Sequence, residues 1–137
     1  MDFDEFERWY AMAEYTIELA TYDLKNKFYS WACFKDHQAR EFAIKALLRG
    51  LGKPIYGHSI YKFLEHLRSI DINVPEDLIS KAKTLDQYYT PTGYPNVWVE
   101  EAPYEFYSRE DAERAIKFTS IIIEWVRKQW EILSKKD

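Results

Sequence analysis

Apolar residues recur with a helical period over three long stretches of the chain. Phe3, Phe6, Tyr10, Ala13, Ile17, Ala20 and Leu24 are spaced by threes and fours, so they share one stripe of a helix over residues 3–24. Lys25-Asn26-Lys27 is a polar stop after it. A second helix is predicted from Tyr29 to Arg49. There Ala32, Ala39, Ala43 and Ala46 make a narrow seam of small residues, flanked by Trp31, Phe34, Phe42 and Leu47. Small residues let a neighbouring helix approach closely. Gly50-Leu51-Gly52-Lys53-Pro54 ends this helix, with glycine and proline in the order that a helix C-terminus favours.

Two shorter helices are predicted next. One covers residues 59–68, with Ser59 as its cap. The other covers 75–87, with Pro75 in the first turn, where its missing N–H costs nothing. Ser108 and Asp111, three apart, mark the start of a last long helix over 109–134. Ala112, Ala115, Thr119, Ile122 and Val126 form one stripe on it; Ile116, Ile123 and Trp130 form another. No segment alternates with period two. The pattern predicts an all-α fold, an antiparallel up-and-down bundle of about five helices, in a single domain over residues 1–137. The last helix carries more apolar residues than one face requires. Either it offers a partner surface or it runs through the middle of the bundle.

One stretch breaks the helical pattern. From Tyr88 to Tyr107 the chain holds seven aromatic residues and three prolines. The prolines forbid a continuous helix. The rings can cover the end of the bundle, or they can offer a stacking surface to bases.

Composition narrows the range of functions. The chain is 47% hydrophobic and 18% aromatic, enough for a core without disulfides. Its one cysteine, Cys33, cannot form an internal bridge and fits a core role in a reducing compartment. The acidic N-terminus has no apolar run resembling a secretory signal, and no stretch approaches the length of a membrane span. A cytoplasmic location is expected. The net charge of −4 disfavours RNA or DNA binding by bulk electrostatics.

The candidate chemistry is sparse. His37, His58 and His66 lack metal-ligand spacing with acids, and one cysteine builds no thiolate site, so no metal or other cofactor is expected. No glycine-rich phosphate loop or nucleophile elbow is present. The second helix is more informative. Gln38, Glu41 and Lys45 lie within two turns of one another, and Glu41 precedes Lys45 by four. They form either a solvated salt-bridge face or a polar groove in which Lys45 meets a phosphate and Gln38 or Glu41 a base or sugar. His58, beside the cap of the third helix, is a turn residue or a ligand contact.

These stretches carry a resemblance. Gln38-Ala39, Glu41, Lys45-Ala46-Leu47-Leu48, then Gly52 and His58-Ser59 are similar to the HEPN domain (higher eukaryotes and prokaryotes nucleotide-binding). So are Tyr89-Thr-Pro-Thr-Gly-Tyr-Pro-Asn96, Ala102-Pro103-Tyr104-Glu105-Phe106-Tyr107 and Arg109-Glu110-Asp111-Ala112. The chain resembles the small stand-alone prokaryotic members over nearly its whole length. The resemblance implies an antiparallel helical bundle and a homodimer. It also implies pairing with a minimal nucleotidyltransferase in a toxin–antitoxin-like system. Many HEPN proteins are metal-independent ribonucleases that use an arginine followed four to six residues later by a histidine. None of Arg8, Arg40, Arg49, Arg68, Arg109, Arg114 and Arg127 has a histidine at that spacing, and Gly93 stands where relatives often carry arginine. No catalytic residue is therefore carried over. The leading expectation is a non-catalytic module that binds a nucleotide or a nucleotidyltransferase partner, with Gln38, Glu41, Lys45, His58, Tyr89, Tyr94 and Tyr107 lining the site. The alternatives are a ribonuclease using His58 as base and a purely structural dimeric subunit.

Overall fold

The fold was obtained as a computed structural model that describes residues 1–87 and 107–136. Its helices are α1 (Phe3–Lys25), α2 (Tyr29–Gly50), α3 (Ile60–Ser69), α4 (Glu76–Asp86) and α5 (Arg109–Lys135). No strand occurs among the described residues. The three long helices form the body, with α2 packed against both α1 and α5. The two short helices pack on each other, and α3 also packs against α2.

Three of the five described helices begin with a side chain that serves their first free N–H groups. Asp2 accepts from the Glu5 amide at 3.0 Å. Ser59 accepts from the Lys62 amide at 3.1 Å. Ser108 and Asp111 form a full capping box: each side chain accepts from the other residue's amide, at 3.2 and 2.8 Å. Pro75 stands one position earlier than expected, as the cap of α4 rather than inside its first turn. The α2 terminus is a Schellman turn. The Gly52 amide donates to the Arg49 carbonyl and the Lys53 amide to that of Leu48, at 3.0 and 2.8 Å. Gly52 adopts φ +74°, a conformation that costs a side chain but not glycine.

The predicted stripes face inward except at Phe3, which starts the α1 stripe and is half exposed. Phe6, Ala13 and Ala20 of α1 are fully buried, as are Ala32, Ala39, Ala43 and Ala46 of α2. Much of the surplus apolar surface of α5 is spent on the core: Ile122, Ile123, Val126 and Trp130 are buried, whereas Ile121 and Ile132 stay exposed. Packing within the bundle accounts for the four buried residues and leaves the two exposed ones unexplained. Trp130 stacks on Phe6 with ring centroids 4.3 Å apart, and Gly50 leaves room for it. α1 carries a longer exposed apolar stripe. Met12, Tyr15, Leu19 and Tyr22 project outward along α1 at spacings of three, four and three.

Candidate functional site

The first turn of α3 meets the middle of α2 at a polar corner. Glu41 is its hinge. One carboxylate oxygen accepts from the Lys45 ammonium at 3.0 Å, one helical turn further along α2. The other lies 2.8 Å from His58 Nδ1, across the α2–α3 connection. Lys45 also donates to the Gly57 carbonyl at 3.0 Å and lies over the Phe63 ring, 5.3 Å from its centroid. The Glu41 and Lys45 side chains are each about one-eighth exposed, whereas His58 is nearly two-thirds exposed. The carboxylate thus fixes the ring from its protected side and presents the imidazole outward.

Behind this corner lies a buried polar layer. His37 Nε2–H donates to the His58 carbonyl at 2.6 Å; a carbonyl can only accept, which sets the tautomer. Burial, reinforced by the Arg40 charge, pushes the His37 pKa down to about 3. Its ring is therefore neutral, and the 3.9 Å approach to Asp86 is no ion pair. Asp86, the last residue of α4, instead clamps the start of α3. It accepts from Ser59 Oγ at 2.8 Å, from the Ile60 amide at 3.1 Å and from the Tyr61 amide at 3.0 Å. A negative charge at a helix N-terminus also complements the helix dipole.

Deeper still, Arg40 is almost fully buried. Its guanidinium donates to Thr119 Oγ1 at 2.8 Å and lies 5.8 Å from the Phe118 ring centroid. Asp36, one turn earlier on α2, has no exposed surface, and neither carboxyl oxygen has a hydrogen-bond partner among the described residues. Thr119 sends its own proton to the Ala115 carbonyl at 2.8 Å. Burial raises the Asp36 pKa to about 8, against the opposing pull of Arg40. The carboxyl is mostly protonated at neutral pH, so the negative charge that still acts on Arg40 is that of Asp86.

Of the residues singled out in the sequence, the fold brings together Glu41, Lys45 and His58. Gln38 lies one turn before Glu41 on the same helix, half-buried, with no hydrogen bond to the other three among the described residues. Tyr107 is buried at the approach to α5. Tyr89 and Tyr94 lie outside the described residues. Sequence reasoning missed His37, Asp86, Asp36, Arg40 and Thr119. Asp36 and Arg40 had a legible signal, because both fall on the seam side of α2 near Ala32, Ala39 and Ala43. Asp86 had none, since it acts on residues 25–27 positions upstream. Cys33 is an inert thiol, with burial pushing its pKa up to about 12. No group of three metal-ligating side chains occurs among the described residues. Nor is any described helix long and apolar enough to cross a membrane.

A helical bundle, five helices among the described residues, with a polar corner between the second and the third, defines a class that comparison with known proteins makes specific. The HEPN domain family matches residues 6–129, and the chain belongs to that family. Three solved structures are similar to it. A protein from Thermus thermophilus is 36% identical, with a TM-score of 0.85, over 90% of this chain and 97% of that one. An archaeal HEPN homologue is 39% identical, with a TM-score of 0.76, over 90% and 96%. A HEPN domain protein from Thermotoga maritima is 31% identical, with a TM-score of 0.74, over 90% and 98%. Among curated proteins, none matches.

Proposed function

We propose that this protein is a non-catalytic HEPN binding module that takes a nucleotide at the corner formed by Glu41, Lys45 and His58. The observation that carries the reading is the double engagement of Glu41. By holding His58 Nδ1 and Lys45 Nζ together, it presents an exposed imidazole next to a fixed ammonium. Lys45 uses two of its three N–H donors inside the corner, leaving one for a phosphate oxygen. Gln38 extends the same face by one turn. Isothermal titration with ATP and AMP tests this. His58→Ala and Lys45→Ala each weaken binding several-fold while the folded helical signal is retained; wild-type affinity in both variants would remove the corner as the site.

In this reading the protein acts as a homodimer beside a minimal nucleotidyltransferase, in a toxin–antitoxin-like pair. The outward α1 stripe of Met12, Tyr15, Leu19 and Tyr22 is the surface best suited to self-association. Tyr15→Glu is expected to turn a dimer into a monomer in light scattering, and a wild-type monomer well above micromolar concentration would refute it.

A second reading rests on the 2.8 Å contact between Glu41 and His58. A carboxylate-oriented imidazole is the arrangement of a general base, as a metal-independent ribonuclease requires. Such a base also needs a cation for the phosphate charge that builds up, and Lys45 has one donor left for it after Glu41 and Gly57. RNA cleavage by the wild type that disappears in His58→Ala would establish this reading over the first.

A further inference from the structure

α4 leans on α3 and touches α5 only sparsely, which opens a cleft of about 450 Å³ between α4 and α5. Its apolar lining comes from Leu85, Phe118 and Ile121, and its charged lining from Lys81, Arg114 and Lys117. No carboxylate is among the described residues that line it, although the chain as a whole carries a net charge of −4. Arg114 is bonded to Asp111 at 2.7 Å. Lys81 and Lys117 lie within ion-pair distance of no carboxylate among the described residues. Three cations around an apolar floor, on an otherwise acidic protein, select a ligand by shape and sign together.

We infer that this cleft is a second binding site, separate from the Glu41–His58 corner, for an amphiphilic organic anion. The apolar body would lie along Leu85, Phe118 and Ile121, and the anionic head between Lys81 and Lys117. A volume near 450 Å³ suits a small-molecule ligand.

Anilinonaphthalene sulfonate, an aromatic body with one anionic head, is the probe. Its fluorescence titration on the full chain should show one saturable site. In Lys81→Glu/Lys117→Glu the dissociation constant should rise roughly tenfold or more, because two attractions become two repulsions. Ile121→Glu, which leaves both lysines in place, should weaken binding in the same direction. Ile132→Glu, at an exposed apolar position near the end of α5, should leave it unchanged. Displacement of the dye by decanoate would support an aliphatic body, and displacement by naphthoate an aromatic one. The proposal is overturned if the double variant binds as the wild type does, if Ile132→Glu abolishes binding, or if neither acid displaces the dye at millimolar concentration.

Discussion

Replacing Asp36 with asparagine should remove a pH dependence of stability that the wild type carries. The Asp36 pKa rises from 3.8 in the unfolded chain to about 8 in the fold, because burial disfavours its charge. The folded state therefore holds this proton more tightly than the unfolded state. Its stabilising contribution is complete below the unfolded value and declines as pH rises through the folded one. At about pH 6, about two units below the folded value, the retained proton is worth roughly 2–3 kcal/mol, at about 1.4 kcal/mol per unit. By about pH 8.5 almost none of that remains. His37 works in the opposite sense, because its pKa falls from 6.5 to about 3, so stability rises with pH as the unfolded histidine loses its proton. That contribution is common to both proteins and cancels in their difference. The assay is urea unfolding of wild type and Asp36→Asn at about pH 6 and about pH 8.5. The wild type should lose about 2–3 kcal/mol relative to the variant between the two conditions. Because a buried amide has its own cost, only the change with pH is diagnostic. Parallel pH profiles would show that Asp36 does not retain its proton in the fold, and the reasoning would fail.

Other predictions concern packing and capping. Gly50→Ala places a Cβ 2.5 Å from the Trp130 ring and 3.0 Å from Phe6 Cβ, so it should cost about 1–3 kcal/mol by overpacking, read as a lower urea midpoint. Asp86→Ala removes the acceptor for Ser59, Ile60 and Tyr61 and should cost about 1–3 kcal/mol; a change within error would mean that α3 caps itself through Ser59 alone. Ser108→Ala breaks the α5 capping box and should cost about 1 kcal/mol in thermal or chemical unfolding.

The helices were legible because each obeys a local rule. The stripe from Phe3 to Leu24 has the period of one helix face, and the Ser108–Asp111 spacing announces its own capping box. The Glu41–Lys45 pair was legible for the same reason, being one turn apart on one helix. His58 joins that pair only because the chain reverses after Gly52, and its bond to Glu41 spans 17 positions. Nothing local tells a turn histidine from one held by a distant carboxylate. The outward stripe on α1 is not legible in the sequence for a related reason. Met12, Tyr15, Leu19 and Tyr22 are as apolar as the core residues between them, and only the packing decides which face meets α2. Charge on a seam is likewise read as solvent-facing by default, yet Asp36 and Arg40 lie inside with Thr119.

The Asp86 clamp makes two amide protons into reporters. The first N–H groups of a helix have no acceptor within it and ordinarily exchange with solvent rapidly. Those of Ile60 and Tyr61 are held by a carboxylate from the far end of the next helix. Their deuterium uptake therefore records how often the end of α4 lifts away, rather than how often α3 frays. Residues 59–86 are closed into a ring by that one side chain, so α3 and α4 should exchange as a single cooperative unit, with Asp86 as its clasp.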